Sequence, residues 1–296
     1  MNSHRDLAGY FALSIWVGFR AAAATVLAVS LAAAAPQEAS RFSIFDVPLG
    51  ASATDIDAMA AARGYQGRTP AGRCLQSYVC WHRITIEGLP GTEFMTTMWG
   101  ERRLPERRES FSFAFAAPPN AHVIWASGSD QYFGAPQQPG PDAPLLSDVM
   151  HELTQRYGPP SQVYGAGGAR LPQGSPPRML WWVWDASGRP VRWTDGMRET
   201  CYRAMSQSAV IHGGAAIADR NAAATDAGPL VLARQGNCAK VVRVEIDHTR
   251  GLVQSLSVRI ADFQAGHDAF VHTLRLVEAQ RAVANRNRSE RNRPTF

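Results

Sequence analysis

The chain has 296 residues, is 45% hydrophobic and carries 8 Trp and 12 Phe, which is enough to build a large core. Domains of this size bury roughly 70% of the surface of the unfolded chain, so a disordered protein is excluded. The net charge of +5 is no nucleic-acid signal: Lys240 is the only lysine, and part of the excess lies in a short tail with Arg286, Arg288, Arg291 and Arg293.

The first expected element is an export signal at residues 1–34. Arg20 precedes "AAAATVLAVSLAAAA" (21–35), an apolar run ending in small residues, and cleavage near Ala34 leaves Ala-Pro-Gln-Glu as the mature start. The alternative is an uncleaved membrane anchor that also takes in "GYFALSIWVGF" (9–19). No cysteine stands at the cleavage point to carry a lipid.

A first α+β unit is expected over 35–133. "FSIFDVPLG" (42–50) reads as a short strand. Ser52 and Thr54 are candidate N-caps for a helix with Asp55 and Asp57 in its first turn and Gly64 as its stop. Strands follow at 81–88, 92–100, 110–117 and 121–127, with a charged hairpin tip at 101–109, and this regular spacing predicts an antiparallel meander. "GAPQQPGPDAP" (134–144) is a Pro/Gly-rich linker.

A second unit is expected over 145–284. A helix spans 145–157 and a Trp-rich strand 178–185, and a hairpin joins 238–247 to 252–263 through "HTRG". A last helix runs from about Gly266 to Ala284, with Phe270, Leu274 and Val277 at i, i+4, i+7. Residues 207–229, rich in Ala and Gly, read as a surface excursion, and 285–296 as a basic disordered tail. The fold class is therefore α+β, with two tandem helix-plus-antiparallel-sheet units and a C-terminal helix.

Four cysteines allow three pairings. Cys74–Cys80 and Cys201–Cys238 are preferred, because each pair lies within one half of the chain. Export makes disulfides the expected state. Neither half has the close Cys-x-x-Cys spacing of a zinc site.

Motifs that name a reaction all fail on inspection. His151-Glu152 opens like a zinc-protease helix, but Gln155 stands where the second histidine belongs. "IHGGAA" (211–216), with His212, resembles the oxyanion loop of lipases, yet Gly50-Ala51-Ser52-Ala53 is followed by Thr54 where a nucleophile elbow needs glycine. "YGAGGAR" (164–170) precedes a strand and not a helix, so it makes no phosphate cradle. His267 and His272 are five apart and over 100° apart around a helix. No metal and no cofactor is expected.

The helix stop Gly158-Pro159-Pro160, together with Leu153 and the strand "WWVW", resembles the closing half of the SmpA/OmlA repeat of the BamE-like envelope lipoproteins. Gly50, Ser52, Asp55 and Ile56 are similar to its opening. The resemblance implies a tandem fold like that of the β-lactamase inhibitor protein, and a binding role.

The expected function follows from these readings: a periplasmic or secreted, non-catalytic envelope protein that binds or assembles with a protein partner. Its expected binding residues are Trp181, Trp182, Trp184 and Trp193, since Trp and Arg dominate protein interfaces. No nucleic-acid partner is expected, and membrane contact only through an uncleaved leader. The alternative is a secreted hydrolase with a non-standard site near His212.

Overall fold

A computed structural model describes residues 41–291 apart from 86–92, 117–120, 135–138, 166–167, 170, 172–174 and 207–227. The described residues from Phe42 onward form one compact unit. The expected signal peptide and most of the 207–229 excursion lie outside the described residues.

The unit is α+β, with helices packed on a nine-stranded sheet. It opens with a small hairpin, β1 (Ser43–Ile44) and β2 (Val47–Pro48), where the sequence suggested one strand. The two turn residues, Phe45 and Asp46, have φ of 49° and 68°, as a two-residue turn with the twist of the strands requires. Gly128 lets this hairpin lie close on the sheet, since a Cβ there would sit 2.7 Å from Ile44 Cγ2.

Helix α1 (Ala53–Ala62) starts at Ser52 with a capping box. The Asp55 carboxylate accepts from the Ser52 N–H at 2.7 Å, and the Asp55 N–H donates to Ser52 Oγ at 3.4 Å. Next come β3 (Arg68–Pro70), β4 (Val79–Thr85), β5 (Glu93–Arg103), β6 (Arg107–Phe115) and β7 (Val123–Tyr132). The expected hairpin tip at 101–109 is much shorter, because both strands run through its charged residues and only 104–106 lie between them.

Helix α2 (Leu146–Tyr157) ends as the sequence suggests. Gly158 has φ 80° and ψ −167°, a conformation costly for residues with a Cβ. Its carbonyl then accepts a 2.8 Å bond from Trp182 Nε1, and the Tyr157 and Trp182 rings lie 5.2 Å apart. The Gly-Pro-Pro stop thus anchors the helix end on a core tryptophan.

The chain continues through β8 (Gln162–Tyr164), β9 (Met179–Trp184), a π-helical turn (Arg198–Tyr202) running into α3 (Arg203–Ser206), and α4 (Gly228–Gln235). It closes with β10 (Lys240–Thr249), β11 (Leu252–Asp262) and α5 (Phe263–Arg291). Residues 285–291, expected as a disordered tail, therefore continue the last helix, although they are exposed.

Spatial strand order is β3-β4-β5-β6-β7-β11-β10-β9-β8, with β3–β4 the parallel pair and the other pairs antiparallel. β7 pairs with β11, so the Pro/Gly-rich stretch at 134–144 does not divide the sheet. One face is packed by α1, the β1–β2 hairpin and α2 around Ile56, Phe111, Phe113, Leu153, Trp182 and Trp184. Part of the other is packed by the π-turn, α3, α4 and α5 around Trp181, Met205, Leu230, Phe263 and Phe270.

Both disulfides are formed, Cys74–Cys80 with Cα atoms 5.5 Å apart and Cys201–Cys238 with 5.9 Å. Both separations are normal for the bond.

Candidate functional site

On the second face the helices cover β9, β10 and one end of β7 and β11. Beyond them the centre of the sheet carries small polar side chains. In β6, Phe111 and Phe113 turn into the first core, so Ser110 and Ser112 stand on the second face. The same Ser-x-Ser alternation recurs in β7 at Ser127 and Ser129, and in β11 at Ser255 and Ser257.

Strand register brings these serines together. One row across the sheet runs Trp99, Ser112, Ser127, Arg259, Arg243, Trp181. The next runs Glu101, Ser110, Ser129, Ser257, Glu245, Met179. Strands stand about 4.8 Å apart, so β6, β7 and β11 give a serine floor about 10 Å wide. All six serines are partly exposed. None of their hydroxyls makes a hydrogen bond among the described residues, and their oxygens are open to water. Serine brings neither the branched nor the aromatic surface that favours strands, so strand propensity does not account for the block.

Larger side chains bound the floor. On the β5 side, Trp99 is half-buried and helps to line a shallow groove of about 620 Å³ with Leu75, Gln76, Arg103 and Phe133. The Cys74–Cys80 bond ties down the loop that presents Leu75, which is 61% exposed.

On the β10 side, Arg243 is only 7% exposed. Its guanidinium lies beside the rings of Trp181 and Tyr202, 5.4 Å and 5.3 Å from their centroids, the two rings packing on each other at 5.3 Å, and it pairs with Glu245. Burial holds the Arg243 pKa below its usual value. Glu245 opposes that shift and the neighbouring charge of Arg259 adds to it. Arg259 itself makes no hydrogen bond, ion pair or ring contact among the described residues.

The tryptophans expected to bind do not form an exposed row. Trp181, Trp182 and Trp184 are at most 2% exposed. Strand β9 is covered on both faces, so its alternating indoles fill two cores instead of one core and one open surface. Trp193 is half-buried and packs on Trp181 at 5.4 Å and Tyr164 at 6.2 Å. Trp181 contributes to the face only through the arginine stacked on it.

His151 is exposed and hydrogen-bonds Gln155 at 2.8 Å. Among the described residues no three His, Cys, Asp or Glu side chains are grouped to hold a metal. His212 lies outside the described residues.

The serine face was not among the sequence expectations. Its signal was three Ser-x-Ser pairs, two inside strand candidates and the third, Ser127 and Ser129, running past the end of the candidate at 121–127, and only the pairing of β6, β7 and β11 makes them one surface.

No protein-family model, characterised protein or solved structure matches this chain.

Proposed function

We propose that this chain is an exported, non-catalytic cell-envelope protein that binds a protein partner on the serine-floored face of its sheet. The observation that carries the reading is the block of six accessible, unpaired hydroxyls between Trp99 and the cluster of Trp181, Tyr202 and Arg243. Small side chains let a partner approach the sheet closely, and aromatic and arginine residues at the margins supply the buried anchors of an interface.

The sheet edges favour a face over strand addition. Both edge strands, β3 and β8, are three residues long and offer little backbone for pairing. Two disulfides are compatible with export, and no described helix is long and apolar enough to cross a membrane. Helix α1 precedes β3–β7 and α2 precedes β8–β11, an order that supports two tandem units of the SmpA/OmlA, BamE-like kind.

The test is site-specific photocrosslinking of the full chain in its own envelope. A photoreactive residue at Ser129 should capture one defined protein, while the same residue at Thr154, exposed on the opposite side, should not. Equal capture from both positions, or none from Ser129, overturns the reading.

A further inference from the structure

The charges on the serine face do not balance, and the imbalance says what the partner presents. Three carboxylates stand on the strands of this face, and each is already engaged: Glu101 with Arg108, Glu245 with Arg243, and Asp247 with Arg178. Arg259 is left without an acidic partner among the described residues. It stands directly opposite Arg243 on one side and Ser127 on the other. Opposed like charges on a sheet are unfavourable, so nothing in the fold itself rewards a second arginine here.

We propose that the face receives an acidic peptide segment of the partner, with one carboxylate seated between the Arg259 guanidinium and the hydroxyls around it. This rests on the protein-binding reading above. An ionised carboxylate offers about four acceptor positions. The guanidinium fork fills two of them, and Ser127 and Ser257, its cross-strand and same-strand neighbours, bring hydroxyls that donate to the others. The carboxylate also relieves the Arg259–Arg243 repulsion, so the fold is at its least strained electrostatically when the anion is present.

A peptide fits better than a free anion. Arg259 is partly exposed on an open face and not in an enclosed cavity, and a second cation, the exposed Arg103, stands at the far margin on β5, stacked on Phe133 at 5.4 Å. β5 and β11 are three strand spacings apart, about 14 Å, and Arg103 lies in the register row of Ser255, four residues along β11 from Arg259, so the two cations stand about 20 Å apart on the diagonal. Two carboxylates on one segment span that distance with the serine floor between them.

The test titrates hexaglutamate, hexaglutamine and sulfate separately into the purified full chain at low salt, by calorimetry. Hexaglutamate should bind and hexaglutamine should not, and the affinity should fall as salt is added. Arg259→Gln should weaken hexaglutamate binding roughly tenfold or more, the loss of a charge-assisted pair. Arg259→Lys should recover only part of the loss, because it restores the charge without the fork. Unchanged binding in Arg259→Gln, or hexaglutamine binding as well as hexaglutamate, overturns the proposal. Sulfate binding as tightly as the peptide identifies a free-anion site and overturns it too. Capture at Ser129 that persists in Arg259→Gln would sink the carboxylate contact and leave the protein-binding face standing, whereas loss of Ser129 capture in the unmodified chain removes both.

Discussion

Arg243 and Arg259 stand directly opposite each other on β10 and β11, two like charges in one cross-strand pair. Only Arg243 is neutralised, by Glu245 and by the Trp181 and Tyr202 rings. Arg259→Gln should therefore leave the fold intact and raise the unfolding free energy by about 0.5 kcal/mol, the scale of one cross-strand charge pair. Urea unfolding of the two proteins side by side measures it, and a clear loss of stability would mean that Arg259 supports the fold and not a ligand.

Glu109 is the opposite case, a buried acid among arginines. It is 1% exposed, with Arg102 at 3.1 Å, Arg63 at 3.2 Å and Arg107 at 3.8 Å. Glu109→Gln keeps the shape and removes the charge, so three partly buried cations lose their shared counter-ion. The expected loss is about 2–3 kcal/mol, below the full value for a buried pair because the arginines are partly wet. The urea midpoint reads it, with Glu101→Gln at an exposed pair as the near-neutral control.

His248 gives the stability a pH dependence. It is 7% exposed at a register shift in β10, and burial, with a further push from Arg178, lowers its pKa from the usual 6.5. As pH falls through that value the unfolded chain takes up the proton before the folded protein does. The unfolded state binds more protons there, so stability rises with pH and is lost as pH falls below about 6.5. His248→Gln should flatten this slope in urea midpoints measured from pH 7.5 down to pH 5. An unchanged slope assigns the acid sensitivity to another group.

The two disulfides should contribute unequally. Their sequence separations are 6 for Cys74–Cys80 and 37 for Cys201–Cys238. Chain entropy then gives about 2 kcal/mol for the first and about 4 kcal/mol for the second. Paired Cys→Ser replacements, compared by thermal unfolding, should rank in that order. Loss of the shorter bridge should also release the Leu75 loop beside Trp99 and weaken partner capture from Ser129.

Where local chemistry decides structure, the sequence was readable. Ser52 with Asp55 marks the start of α1, Gly158 with two prolines marks the end of α2, and the β10–β11 turn at Arg250 and Gly251 adopts the positive φ that a tight hairpin needs. The short edge strands β3 and β8 were missed because three residues are too few to show a period. The tryptophans of β9 were misread for a different reason. Alternation tells which side chains share a face but not whether helices cover that face, and here both faces are covered. Arg102 and Glu109 read as part of a charged hairpin tip, yet they are cross-strand partners inside the sheet. The serine face was hidden in the same way, since Ser-x-Ser means little in one strand and acquires meaning only from neighbours far away in the chain.

The pairing of β7 with β11 also sets a timetable for folding. The two strands lie more than a hundred residues apart, so a chain delivered from its N-terminus completes β3 to β7 long before β11 arrives. Through that interval β7, with ten residues, is a bare edge far longer than either edge of the finished sheet. Closing so large a loop is slow, and an open strand edge invites pairing with other chains. The nascent half should therefore be the form of this protein most prone to aggregate, until the arrival of β11 covers the edge of β7.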